Sequence, residues 1–369
     1  MNILNLTTHL NVGGISQYLL SSGVHLRKRG HNLSVLSSGG TMEKDFKAKG
    51  IDCFNFSIRT KNEFHPKLFF ALFPIARLVK KEKFDVLHAH TRVTQVSAFF
   101  ISKITGVPFV STAHGFYKTR FSRKIFGCWG KRVAAISPLV AESLRTDHGV
   151  DPKKIRMIQN AVDSDQLKKR LLEKNTRALR EKYGIPEKSV VIGSIGRLVK
   201  DKGHKFLVEA AAGLKKENFN IFLLILGDGR EKERLLNGIE TRGLQDRARI
   251  IPAEKDMTEV LSVIDIFVHP ATHREGFGLS IAEAMIAKKP VIATDIPAIN
   301  TLIRNNETGF MVEPSNAEAL KAAIRFLIQN PETAKTVAEK GCRMVTELCS
   351  MDRMANELEA LYKEVAGNG

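Results

Sequence analysis

Thirteen short runs of apolar, mostly β-branched residues punctuate the chain, and amphipathic stretches of helical spacing lie between them. That alternation is the pattern of parallel sheets covered by helices. In the first half it predicts strands over 2–6, 32–36, 52–56, 85–88, 108–111, 132–136 and 155–158. The rhythm then restarts, with strands over 190–195, 221–226, 249–251, 264–268, 291–293 and 309–312. Two such series in 369 residues imply two α/β domains, each large enough to bury its own core.

The first domain is placed at 1–165 and the second at 189–350. Between them 166–188 is read as a charged amphipathic linker ending in Tyr183-Gly184-Ile185-Pro186, where Gly-x-Pro punctuation closes a helix. Residues 316–366 are helical in pattern, and 351–369 are read as a C-terminal helix with the option of packing back toward the first domain. Two doubly wound domains facing each other would line one interdomain cleft with strand C-termini and helix N-termini, where ligands of such sheets bind.

The longest nearly uncharged apolar stretch, 68–75, is far shorter than the roughly 20 residues of a membrane-spanning helix. Met1 to Leu6 lacks the basic start of a secretory signal, so the expected location is cytoplasmic. Cys53, Cys128, Cys342 and Cys349 are scattered without metal-ligand spacing, which suits a reducing compartment and indicates neither disulfides nor zinc.

The net charge of +18 is uneven. Residues 1–165 hold 25 Lys and Arg against 11 Asp and Glu, whereas 166–369 hold 32 against 28. No acidic residue falls between Asp85 and Glu142, a stretch that contains Arg92, Lys103, Lys118, Arg120, Arg123, Lys124, Lys131 and Arg132. Such a field attracts anionic partners. Two segments mix this charge with aromatics: 61–83, with Phe64, Phe69, Phe70 and Phe73, and 116–132, with Tyr117, Phe121, Phe126 and Trp129. Basic residues beside exposed aromatics suit an anionic membrane surface; the alternative is that the rings are core and the charges a solvated face. No zinc-finger, KH or RNP motif is present, so nucleic acid is not the expected partner.

Candidate chemistry lies at the turns after strands. Gly13 and Gly14 open the first helix, where free N–H groups favour an anion. The first strand of the second series runs into Gly196-Arg197-Leu198-Val199-Lys200-Asp201-Lys202-Gly203. A diphosphate leaving group needs its developing charge neutralised, and a fork-shaped Arg with a flexible Lys does so without a metal. Gly227-Asp228-Gly229 is read as a structural turn. After 264–268 come His269-Pro270 and then Glu275-Gly276-Phe277-Gly278-Leu279-Ser280-Ile281-Ala282-Glu283. Gly276 and Gly278 leave backbone amides open to sugar hydroxyls or phosphate oxygens. Glu283 is the one charge in a short apolar helix, so burial is expected, and a ribose would supply the hydrogen bonds it then needs.

Taken in order, Gly13-Gly14, Ala113-His114-Gly115, Asn160-Ala161-Val162-Asp163, Gly196-Arg197 with Lys202-Gly203, Gly227-Asp228-Gly229, and Glu275 with Glu283 resemble the retaining glycosyltransferases of the family four type. The resemblance covers essentially the whole chain. It implies the GT-B fold of two facing Rossmann-like domains, and transfer of a hexose from a UDP or GDP sugar with retention of configuration and no metal or other cofactor. By that likeness Arg197 and Lys202 hold the diphosphate beside Gly196. Glu283 takes the ribose, and Glu275 with the amides of Gly276, Phe277, Gly278 and Leu279 takes the donor sugar. His114 stands beside the reacting sugar, and Gly14 belongs to a loop closing over the phosphates. Ala161 departs from the Gly usual after Asn160.

The implied acceptor is a glycan or lipid-linked molecule on the first domain. The implied setting is the inner face of the cell membrane, in lipopolysaccharide or envelope glycan synthesis. An epimerase or phosphorylase of the same fold, or a non-catalytic glycan-binding or membrane-binding protein, are the competing readings. Asp163-Ser164-Asp165 spells a manganese-binding string of another fold but is read as a helix-starting turn. His88-Ala89-His90 has no third metal ligand in view.

Overall fold

A computed structural model describes residues 1–60, 62–119, 123, 126–253 and 256–367. The chain forms two compact units: 1–161 with 351–369, and 162–350.

The first unit is built on a seven-stranded sheet of β1 (Asn2–Leu6), β2 (Asn32–Ser37), β3 (Asp52–Asn55), β4 (Val86–Ala89), β5 (Phe109–Ala113), β6 (Arg132–Ala135) and β7 (Ile155–Met157). Their order is β3-β2-β1-β4-β5-β6-β7, and every pairing is parallel. Period-two alternation sends Ile3, Leu33, Val35, Val86 and Val110 to one face, where Leu19 and Leu26 of helix Gly14–Lys28 cover them. Met354, Leu358, Leu361 and Tyr362 of the final helix, Met351–Ala366, join the same core. Leu4, Leu6, Leu36 and Leu87 point to the other face, under helices Pro66–Lys81 and Arg92–Thr105.

The second unit carries β8 (Val190–Ile195), β9 (Ile221–Leu226), β10 (Ala248–Ile251), β11 (Ile266–His269), β12 (Val291–Thr294) and β13 (Phe310–Val312). Their order is β10-β9-β8-β11-β12-β13, again wholly parallel. Strand order reverses between β1 and β4 and between β8 and β11, and the loops leaving these strands hold most of the candidate residues.

Two details differ from the sequence expectation. The 166–188 stretch folds into helices Ser164–Leu172 and Thr176–Tyr183, whose Leu167, Leu179 and Tyr183 are buried as part of the second unit. Asp163 is the N-cap of the first of these, accepting a hydrogen bond from the Gln166 amide at 3.0 Å. Strand β11 starts at Ile266 rather than Ile264, because Ile264 terminates helix Met257–Val263.

The two aromatic segments also part ways. Phe70 and Phe73 are 81% and 69% exposed, and Phe64 and Phe69 are also exposed. Tyr117 and Trp129 instead pack against each other and against His148, with tilted and edge-on rings. Lys61, Arg120, Phe121 and Lys124 lie outside the described residues.

Candidate functional site

In the second unit three loops are locked together at the C-terminal edge of the sheet. The Gly227-Asp228-Gly229 turn after β9 packs so tightly on the β8 loop that a Cβ at Gly227 would sit 2.0 Å from the Gly196 carbonyl oxygen. A Cβ at Gly229 would sit 2.2 Å from that of Leu198. The Leu198 amide donates to the Asp228 carbonyl at 2.8 Å. Asp228 accepts from the Ala253 amide at 2.7 Å and lies 3.3 Å from Lys232, so its side chain shapes the turn. On the other side the Thr272 amide donates to the Asp201 carbonyl at 2.8 Å. Gly203, at φ +66°, leaves room for the Pro270 carbonyl.

This packing brings Lys202 onto Glu275. The Lys202 ammonium donates to Glu275 Oε1, and His269 Nε2 lies 3.3 Å from the same oxygen. Both charged side chains are largely buried, at 18% and 15% exposure. Burial alone would raise the Glu275 pKa, but hydrogen bonding to His269 and the Lys202 charge outweigh it and hold the carboxyl at about 2. Burial lowers the pKa of His269 and takes that of the neighbouring His204 to about 3, so both imidazoles are neutral at pH 7. Arg197, five residues before Lys202, is exposed and has no acidic partner among the described residues.

After Glu275, the amides of Gly276, Phe277, Gly278 and Leu279 donate to no acceptor among the described residues. Gly278, at φ +93°, caps helix Leu279–Ile286, while Phe277 is anchored in the core at 3% exposure. The result is a row of free N–H groups at a helix start. The Glu283 carboxyl is enclosed, as expected, although the residue keeps part of its surface open. Leu279, Ser280, Glu283 and Ala287 form the partly open stripe of this helix, whereas Ile281, Ala282, Ala284, Met285 and Ile286 are buried. Small apolar neighbours on both faces hid that stripe in the sequence. Desolvation nevertheless pushes the Glu283 carboxyl up to about 8, and no hydrogen-bond partner exists for it among the described residues.

In the first unit, alternation along β1, β4 and β5 places Asn5, His88 and Thr112 on the same face as Ile3, Val86 and Val110. His114 follows β5, and its Nε2 lies 3.0 Å from His90 Nδ1. His90 Nε2 is in turn 3.0 Å from Asn5 Oδ1. With that oxygen as acceptor, His90 Nε2 carries a proton and Nδ1 accepts one from His114 Nε2. His88 bridges the Tyr362 hydroxyl and Thr112 Oγ1, both at 2.7 Å, and its ring stacks 4.1 Å from that of His90. Tyr18 meets His114 edge-on at 4.8 Å. Burial takes His88 and His114 to about 3 and His90 well below its usual value, so the cluster is uncharged at pH 7. Gly13 and Gly14 are exposed at the start of the first helix.

Sequence reasoning did not single out His269, His90 or Asn5 as supports. The available signal was a polar side chain at or just beyond the C-terminal end of an otherwise apolar strand, as at His269 and His90.

Doubly wound units bearing an amide row, cations and carboxylates at their strand ends define a GT-B class glycosyltransferase fold. The family model for "Glycosyl transferases group 1" matches residues 175–344, and that for "Glycosyltransferase Family 4" matches residues 12–166. The chain belongs to these group 1, family 4 type glycosyltransferases and has glycosyltransferase activity. It is 28% identical to an alpha-D-kanosaminyltransferase of Streptomyces kanamyceticus, over 76% of this chain and 77% of that one. It is 27% identical, over 81% and 80%, to an Escherichia coli UDP-Gal:alpha-D-GlcNAc-diphosphoundecaprenol alpha-1,3-galactosyltransferase. A glycosyltransferase structure from Rickettsia africae aligns with TM-score 0.85 at 29% identity, covering 100% of this chain and 99% of the other. Anabaena Alr3699/HepE, solved with UDP and glucose, aligns over 99% and 100% with TM-score 0.85 at 20% identity.

Proposed function

We propose that this enzyme is a retaining hexosyltransferase that moves a sugar from a UDP or GDP donor to a lipid-linked or envelope-glycan acceptor, without a metal ion. The observation that carries the reading is the group at the β8 and β11 strand ends. An unpaired Arg197 and a Lys202 held in place by Glu275 sit in loops packed against each other, followed by a row of free amides. In this reading Arg197 and Lys202 take the diphosphate as its bond to the sugar breaks, and the charge they supply is fixed in place beforehand. Glu275 and the Gly276–Leu279 amides orient the sugar, Glu283 takes the ribose hydroxyls, and His114, neutral and oriented by His90, stands on the sugar. Gly13 and Gly14 let the first helix start approach the phosphates. The departing phosphate oxygen accepts the acceptor's proton, so the new bond forms on the face the leaving group vacates and configuration is retained. The Escherichia coli relative's named donor and acceptor favour a UDP sugar and a polyprenyl diphosphate among the candidates.

The test is a panel of nucleotide sugars with and without a glycan-diphosphate lipid acceptor, read by product anomer analysis, with a chelator arm. Acceptor-dependent donor consumption, product of the donor's anomeric configuration and indifference to chelator are expected. An inverted product, manganese-restored activity or an acceptor-independent epimer would overturn the reading.

The reading also places the enzyme in the cytoplasm, on the inner face of the cell membrane. No helix among the described residues is long and apolar enough to cross a membrane. Helix Pro66–Lys81 instead exposes Phe69, Phe70 and Phe73 with Arg77 on one face. That is the make-up of a helix lying in a lipid interface. Sedimentation with anionic vesicles that survives Phe70→Ser/Phe73→Ser, or that is equal with neutral vesicles, would remove this assignment.

A further inference from the structure

A cavity of about 640 Å³ opens in the first unit at the N-terminal edge of β5 and β6, the end of the sheet opposite His114. The length of β5 separates the two by about 15 Å at about 3.3 Å per residue. One part of its wall is apolar, formed by Phe99, Phe109, Trp129 and Val365. The charged part holds Lys103, Lys131, Arg132 and Lys154 against the carboxylate of Glu364 among the described residues.

The cations are not internally neutralised. Glu364 is shared between Arg132 and Arg156, with nearest contacts of 2.5 and 2.8 Å. Among the described residues Lys131 Nζ donates only to the Val365 carbonyl, at 3.0 Å, an uncharged acceptor. Lys103 and Lys154 are exposed and have no acidic partner among the described residues. An excess of positive charge over an aromatic floor calls for a ligand that is anionic at one end and apolar at the other.

The surroundings decide which such ligand. Phe99 packs on Phe100 at 5.4 Å between ring centroids, and Phe100 packs on Phe69 at 5.7 Å. Phe69 belongs to the exposed aromatic face of helix Pro66–Lys81. An unbroken line of rings thus joins the cavity to the surface assigned above to the lipid interface.

We infer that this cavity binds the phosphate headgroup of an anionic membrane lipid, with Lys103 and Lys154 facing the phosphate and the Phe99–Phe100–Phe69 line lying along the chains. The inference rests on the membrane reading and deepens it, adding a lipid-class preference to a helix that by itself recognises only an interface. Lipid charge near a basic surface attracts each Lys or Arg independently, so two lysines without acidic partners among the described residues, Lys103 of which lies 6.0 Å from the Phe99 ring centroid, are sufficient to separate anionic from zwitterionic headgroups.

Trp129 lines the cavity and is the only tryptophan of the chain, so intrinsic fluorescence reports this site. The experiment titrates the full-length enzyme with dihexanoyl-phosphatidylglycerol below its micelle concentration. Parallel titrations use dihexanoyl-phosphatidylcholine and glycerol 3-phosphate. The expected result is a saturable Trp129 response to the phosphatidylglycerol, at least about tenfold weaker for the phosphatidylcholine, for glycerol 3-phosphate and for Lys103→Glu/Lys154→Glu. Both lysines are exposed and lack an acidic partner among the described residues, and Lys103→Gln/Lys154→Gln, with a smaller loss in the same direction, guards against a folding artefact. No response, an equal response to phosphatidylcholine, an equal response to glycerol 3-phosphate, or unchanged titration in the Glu variant would each overturn the inference. Monomeric lipid reports the cavity alone, whereas vesicle sedimentation with Phe70→Ser/Phe73→Ser reports the interface helix, so the two readings fail separately.

Discussion

Lys202 and Glu275, 73 residues apart in the chain, are joined through a salt bridge that ties the loop after β8 to the loop after β11. On the proposed reading, the cation that takes the diphosphate and the carboxylate that takes the donor sugar hold each other until a ligand arrives. Each partner removed alone leaves a largely buried opposite charge, which is more damaging than losing both.

Lys202→Ala is expected to lower stability by about 1–2 kcal/mol, discounted because both groups keep some solvent contact. Lys202→Met/Glu275→Gln should recover most of that loss without recovering turnover. Lys202→Ala and Arg197→Ala should each reduce kcat about 10²-fold or more. Denaturant unfolding and steady-state kinetics on the four proteins check this. Wild-type turnover in both single alanine variants would remove the diphosphate assignment.

The Glu283 carboxyl sits at about 8 in the folded enzyme, against an ordinary value of 4.5. The folded state holds this proton more tightly than the unfolded one, so the group's contribution to stability is intact below pH 4.5 and is lost as pH rises to about 8. Glu283→Gln should therefore melt close to wild type at pH 4 and above it at pH 9. The same melting difference at both pH values would contradict the assignment.

The imidazoles carry the opposite sign. His88 and His114 fall from 6.5 to about 3 on folding, so the unfolded chain takes up protons first and stability declines as pH drops from about 6.5 toward 3. His90→Leu leaves His114 Nε2 and Asn5 Oδ1 without their partner and should lose about 1–3 kcal/mol at pH 7. Nitrogen NMR of the wild type should show neutral His114 with its proton on Nε2 at pH 6. An imidazolium signal there would refute the arrangement.

Two glycines with the same sign of φ separate backbone strain from packing. Gly106, at φ +78°, has nothing within 4 Å of the point where a methyl group would stand, and Gly106→Ala should lose only about 1–2 kcal/mol. At Gly203 the added Cβ would meet the Pro270 carbonyl oxygen at 1.9 Å, in the packing that carries Lys202 to Glu275. Gly203→Ala should lose more stability than Gly106→Ala and reduce activity as well. Equal melting temperatures and equal rates for the two variants would show that this loop contact is dispensable.

All thirteen strands among the described residues could be read from the chain because each is a short apolar run bounded by turn residues, and their alternation with helices left little choice of topology. The errors are local. Ile264 extended an apolar run by sitting at a helix end, and the charged 166–188 stretch concealed the buried Leu167, Leu179 and Tyr183. Within the candidate site, motif spacing singled out Lys202 and Glu275 but not their mutual pairing, because that depends on how closely Gly203 lets two loops approach. His90 and Asn5 were out of reach for a similar reason: their roles come from strand order and register, which bring residues 85 apart within 3.0 Å.

The final helix, Met351–Ala366, fills the core of the first unit, where Tyr362 reaches His88 across 274 residues. During synthesis, then, the nascent first unit waits with an uncovered apolar sheet face while the intervening 162–350 unit emerges and becomes free to fold. Completion of the His88–His90–His114 cluster consequently waits for residue 362, and a polypeptide cut off at residue 350 would carry the whole of the second unit and only part of the first.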